Sequence, residues 1–229
     1  MNDFRHPAIA RTGAAPQNRV LRNTYWLLAL SLIPTVLGAA VGMYSGLAQV
    51  MGQSPGVTTI VFLVGAFGLM FAIERNKENG LGVALLLAFT FFMGIMLSRL
   101  LGFVLGMNNG ASLVMMAFGG TAAVFGTMAT LASSIKRDLS GMQKWLFVGA
   151  VVILLAALGN IFLQIPALML TISVLAIVIF SAFMLVDLQR IINGGETNYI
   201  TATLAVYLDV YNVFANLLML LGIFGGERD

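Results

Sequence analysis

The sequence predicts an all-α integral membrane protein: seven transmembrane helices in one bundle. Three observations carry this reading. Of the 229 residues, 59% are hydrophobic and only 9% are charged, where a soluble domain has about 25% charged residues. A soluble fold of this size could not hide so much apolar surface. The apolar residues fall in runs of the length a bilayer requires, about 20 residues each. The connections between the runs alternate between basic and uncharged.

The elements follow in order. Residues 1–22 carry Arg5, His6, Arg11, Arg19 and Arg22 and read as a flexible cytoplasmic tail, which leaves residues 23–229 as the transmembrane domain. The apolar run after the tail is too long for the core of a cleaved signal peptide, so it reads as a retained first span. Seven spans are expected at approximately 25–47, 57–74, 81–105, 111–134, 144–165, 167–191 and 200–224. Pro166 opens the sixth, where a missing N–H costs nothing, so the fifth and sixth spans form a tight hairpin. Gly119, Gly120, Ala122 and Gly126 in the fourth span are expected to let helices approach closely.

The charges set orientation and exclude several functions. Arg75 and Lys77, then Lys136, Arg137 and Lys144, then Arg190 stand at the second, fourth and sixth connections. The first, third and fifth connections have no Lys or Arg, which predicts a cytoplasmic N-terminus and an outside C-terminus. The net charge of +3 then reflects orientation, not nucleic-acid binding. With no cysteine and only His6, the chain has no disulfide, thiolate site, histidine zinc site or triad. We expect no enzyme and no cofactor.

Ionisable residues within a span are costly and are functional candidates. Arg99, late in the third span, is explained by snorkelling to the headgroups. Glu74 and Arg75 close the second span, either as interfacial charges or as partners reaching inward. Asp187 lies seven residues before Gly194, and Asp209 lies nine after Ile200. At 1.5 Å per residue they sit roughly 10 Å and 13 Å along adjacent antiparallel helices, at similar depth. Asp209, Asn212 and Asn216 form one polar stripe, continued by Ala202 and Ala205, which should face the bundle interior. Met184, Phe183 and Phe180 above Asp187 resemble an apolar plug.

Two blander arrangements compete with a functional pair. Asp187 could pair with Arg190 within its own helix, and Asp209 could hydrogen-bond an asparagine. If the acids do meet, they share a proton and titrate as a unit. That chemistry suits a pH-sensitive path for Ca²⁺ or H⁺, with Asp187 and Asp209 as transient metal ligands. It also suits intramembrane aspartyl proteolysis, but the stretch before Asp209 is Tyr207-Leu208 where such proteases have Gly-x-Gly. A third possibility is a pair that only pins two helices of a protein acting through a membrane partner.

Several stretches carry a family resemblance: VLRNTYWLLALSL from Val20, GGTAAVFG from Gly119, NIFLQIPAL from Asn160, GGETNYITAT from Gly194 and VYNVF from Val210. Through them the chain resembles the Bax inhibitor-1 (transmembrane Bax inhibitor motif) family, most of all its bacterial YccA-like branch, over nearly all of its length after the tail. The resemblance implies a bundle with the last helix central, in the bacterial plasma (inner) membrane. It implies a pH-sensitive calcium leak gated at Asp187 and Asp209, with Arg75 in the place of an arginine that pairs with the first acid. For the YccA-like branch it implies instead a modulator of the membrane AAA protease FtsH, a slow substrate or inhibitor engaged through its N-terminal tail.

Overall fold

The computed structural model describes residues 14–226. Among them are eight helices and no strand: α1 (Ala14–Tyr44), α2 (Leu47–Gln53), α3 (Pro55–Arg75), α4 (Gly80–Leu105), α5 (Gly110–Ser134), α6 (Met142–Leu163), α7 (Pro166–Ile192) and α8 (Tyr199–Phe224). All but α2 are long and apolar enough to cross a membrane, which gives seven spans. The chain is an all-α membrane protein.

Two boundaries differ from expectation. Helix α1 starts at Ala14, so residues 14–22 of the expected tail are helical, while residues 1–13 with Arg5, His6 and Arg11 lie outside the described residues. Polarity marks where a membrane would begin, not where a helix begins, and Pro16 is tolerated within a first turn. The first connection also contains a helix of its own. Gly46 adopts φ 80, which ends the apolar run that sequence alone continues to residue 47, and α2 starts behind it. The tight α6–α7 hairpin is present. Gln164 takes φ 53, the Asn160 side chain accepts from Ile165 N–H at 2.9 Å, and Pro166 opens α7.

Without a strong hydrophobic force between helices in lipid, close approach and interhelical hydrogen bonds hold such a bundle. The closest crossing is α1 on α4. A Cβ at Gly38 would collide with the Phe91 carbonyl, and one at Gly94 with the Thr35 carbonyl. Of the small residues expected to do this work in α5, only Gly120 meets another helix. Gly119 and Gly126 face open space and Ala122 is exposed, while Gly120 packs against Leu217. Small-residue composition did not tell which face of α5 turns inward.

Helix α8 packs against α1, α4, α5 and α7 and touches α3. Helix α6 packs on α7 and has no buried residue. The core collects Ile73, Leu86, Phe89, Met184, Leu188 and Val206. Large apolar side chains such as Trp26, Phe71, Trp145 and Phe162 point outward, as lipid-facing positions do.

Candidate functional site

The site grows from the turn between α7 and α8. Helix α7 ends in a Schellman motif: Gly195 N–H bonds the Arg190 carbonyl at 2.8 Å and Gly194 N–H bonds the Ile191 carbonyl at 3.2 Å. Gly194 occupies the left-handed position, φ 76, that this motif demands and that favours glycine. Asn198 then caps α8, accepting from Ile200 N–H at 2.9 Å and Thr201 N–H at 3.2 Å. Its amide nitrogen donates to the Lys77 carbonyl at 2.9 Å and to Glu78 Oε1 at 3.2 Å, fastening the turn to the α3–α4 connection. The Gly194–Asn198 stretch is thus a stop, a start and a clasp.

Glu196 sits inside this turn. Its Oε1 accepts from Thr197 and Asn198 N–H, both at 3.0 Å, and its Oε2 faces Arg190 Nη2 at 3.3 Å. Arg190 Nε also donates to the Gly195 carbonyl at 3.3 Å. Arg190 thus forms its ion pair with Glu196, and not with Asp187 as the alternative arrangement required.

One step further into the bundle, α7 and α8 bring Asp187 and Asp209 together. They are 9% and 4% exposed, and their carboxyl groups lie close enough to act on one another electrostatically. No N–H or O–H donor reaches Asp209 Oδ2, which is buried. Below the pair is a cavity of about 20 Å³ lined by Asp187, Arg190, Ile191, Glu196, Ala202 and Ala205. Room for one water needs about 10–15 Å³ and polar partners, and this cavity has both.

The other predicted residues stand elsewhere. Asn212 and Asn216 are half-buried and donate to the Leu208 and Asn212 carbonyls of their own helix, each at 2.8 Å. Glu74 is exposed and paired with Lys77; their hydrogen bond holds the Lys77 ammonium above its usual range. Arg75 is exposed and forms no ion pair among the described residues. The arginine that shares the cavity lining with Asp187 is Arg190, not Arg75. Arg99 is exposed with its guanidinium stem beside Gly52 at the opposite end. Met184 is fully buried, and Phe180 and Phe183 stack with ring centres 6.1 Å apart. Among the described residues no group of three or more His, Cys, Asp or Glu gathers as a metal site.

Sequence reasoning missed three polar anchors, two buried and one half-buried. Gln189, 2% exposed, donates to the Ile135 and Arg137 carbonyls at 3.0 and 2.9 Å and accepts from Leu139 N–H at 2.9 Å. It holds the α5–α6 loop. Tyr207 shares a 2.8 Å hydrogen bond with Thr35, and Tyr211 donates to the Met93 carbonyl at 3.2 Å. Gln189 could have been found by the rule that found Asp187, since any polar residue in an apolar helix needs a partner. The tyrosines give no such signal, because a tyrosine also belongs in an apolar stripe.

Comparison with known proteins agrees with this architecture. The chain matches the family described as inhibitor of apoptosis-promoting Bax1 over residues 17–226. It is 40% identical over 212 residues to the modulator of FtsH protease YccA of Escherichia coli K12, covering 93% of each chain. The same protein in an Escherichia coli O6 strain is called inner membrane protein YccA. An uncharacterized protein of Neisseria meningitidis serogroup A is 38% identical over 213 residues, 92% of this chain and 93% of that one. A seven-span helical bundle, matched from its first helix to its last, belongs to the Bax inhibitor-1 family.

Proposed function

We propose that this chain is a bacterial inner-membrane protein whose Asp187–Asp209 pair gates a pH-sensitive leak of Ca²⁺ or H⁺. The observation that supports the reading is the pair itself: two buried carboxyl groups side by side, one oxygen unsatisfied, above a water-sized cavity. Buried polar atoms almost always have partners, so an unpartnered carboxyl oxygen calls for a role. Ca²⁺ takes six to eight oxygens, and two acids are too few to retain it. Such a site suits an ion that passes while keeping most of its water. We take the basic end of the bundle, with Arg75, Arg137 and Arg190, to be cytoplasmic.

The test is flux. In liposomes containing the protein, Ca²⁺ release should change with pH, and Asp209→Asn should flatten that dependence. Equal flux and an equal pH profile in Asp209→Asn would remove the gate.

A second reading is favoured by a specific observation, the full-length similarity to a protein named modulator of FtsH protease. Here the chain binds and restrains FtsH, and the acid pair only holds α7 to α8. Removing residues 1–13 leaves α1 whole and shortens the segment offered to the protease. The intact chain should co-purify with FtsH and slow its turnover of other substrates, and the shortened chain should be degraded more slowly. No association by either form, with unchanged turnover, removes this reading.

A further inference from the structure

The cavity under Asp187 has an outer wall of a particular kind. Of its six lining residues, Ile191 and Ala202 are 1% and 2% exposed and belong to the core. Ala205 is a short side wall. On the side of the basic end its lining is Arg190 and Glu196, whose side chains are 44% and 19% exposed. These two charged, partly exposed side chains stand between the basic end and the Asp187 side of the cavity. The charged groups lining the cavity are Asp187, Arg190 and Glu196, and Asp209 lies outside the lining.

We propose that the Arg190–Glu196 ion pair is a lid over a hydrated route from the basic end of the bundle to the Asp187–Asp209 pair. Three features suit it to that task. A partly exposed ion pair is weak, so it separates thermally. Arg190 pairs with Glu196 and shares the cavity lining with a second acid, Asp187. Glu196 is anchored by its other oxygen on the Thr197 and Asn198 N–H groups, so opening moves the arginine while the turn stays in place. The alanines at 202 and 205 leave room behind the lid that a larger side chain would fill. This inference deepens the ion-path reading and rests on it for its purpose, but the route can be tested without measuring flux.

The chain has no cysteine, so Ala205→Cys introduces a single thiol in the cavity wall. The probe is a trimethylammonium-ethyl methanethiosulfonate, which is water-soluble, larger than the closed cavity and reactive only with thiolate. In proteoliposomes Ala205→Cys should react slowly, and adding Glu196→Gln should speed the reaction at least tenfold. Glutamine keeps an oxygen for the Thr197 and Asn198 N–H groups, so the turn is preserved while the charge is lost. Met184→Cys, fully buried beyond the acids, should stay unreactive in both backgrounds. Equal rates with and without Glu196→Gln would overturn the lid, as would no reaction in either. Acceleration of Met184→Cys to the same degree would also overturn it, because the bundle as a whole would then be opening. If the thiol result holds while Asp209→Asn leaves flux untouched, the route stands and the leak reading falls.

Discussion

Helix α8 turns two different polar faces into the bundle. Toward α1 and α4 it presents Thr203, Tyr207 and Tyr211, one per turn. Thr203 bonds the Tyr199 carbonyl at 2.6 Å, Tyr207 meets Thr35, and Tyr211 reaches the Met93 carbonyl. Toward α7 it presents Ala202, Ala205 and Asp209, two small residues beside a cavity and an acid with an unsatisfied oxygen. Helix α7 repeats the contrast within two residues: Gln189 uses both ends of its amide, whereas Asp187 looks across at another acid. Buried polar groups with all their partners hold the fold. A charged group without them, next to a space for water, is where function is to be sought. Thr24 also has an unpartnered buried hydroxyl, but it is neutral and does not line the cavity beside Asp187.

If that division is sound, the satisfied face should break the protein and the unsatisfied face should break only its activity. Tyr207→Ala should cost most, about 3–5 kcal/mol for a truncated core aromatic, read as lost thermal stability in detergent. Gln189→Leu should cost about 2 kcal/mol, because two carbonyls and an N–H of the α5–α6 loop lose their partner. Tyr207→Phe should cost about 1 kcal/mol by removing the hydroxyl that meets Thr35 and the Thr90 carbonyl, with Ca²⁺ flux and its pH profile unchanged. Asp209→Asn should change stability by less than about 1 kcal/mol, since asparagine can donate to Asp187 without a shared proton, yet flatten the pH profile. A large stability loss in Asp209→Asn with an intact pH profile would place the acid pair among the structural groups.

Much of this was legible in the sequence because membranes make a strict solvent. Span number and limits follow from apolar length, and the depth match of Asp187 and Asp209 follows from helical rise and a short turn. Side-chain reach is not legible in that way. The i, i+3 spacing of Asp187 and Arg190 suggests a pair, but Arg190 swings past the helix end to Glu196 because the Schellman turn brings residue 196 back over it. Arg75 lies at the right level by count yet faces outward, since the rotation of α3 is set by its packing on α4 and not by its own weakly patterned sequence. The buried turn of α5 was misread for the same reason: Gly119 and Gly126 are small on every face.

Asp138 offers the smallest effect and the sharpest counterpart to Asp209. It is an exposed carboxylate on the α5–α6 loop with both oxygens engaged: Oδ1 accepts from Ser140 N–H and Oδ2 from the Ser140 hydroxyl, each at 2.9 Å. The hydrogen bond from the Ser140 amide, followed by that from its hydroxyl, holds the Asp138 carboxyl below the usual carboxylate range. A value lowered on folding means that the contribution is fully present above the unfolded value, about 3.9, and is lost as pH falls through the lower, folded one. The Ser140 amide proton shift should therefore stay constant from pH 7 to about pH 4 and move only below that. Asp138→Asn should abolish the movement while leaving the loop in place, because Gln189 grips the same loop from inside. A Ser140 shift that moves between pH 5 and 7 would show that the exposed acid is not held as the geometry requires. Constancy there, set against a leak that does respond in that range, would assign the response to the interior acids.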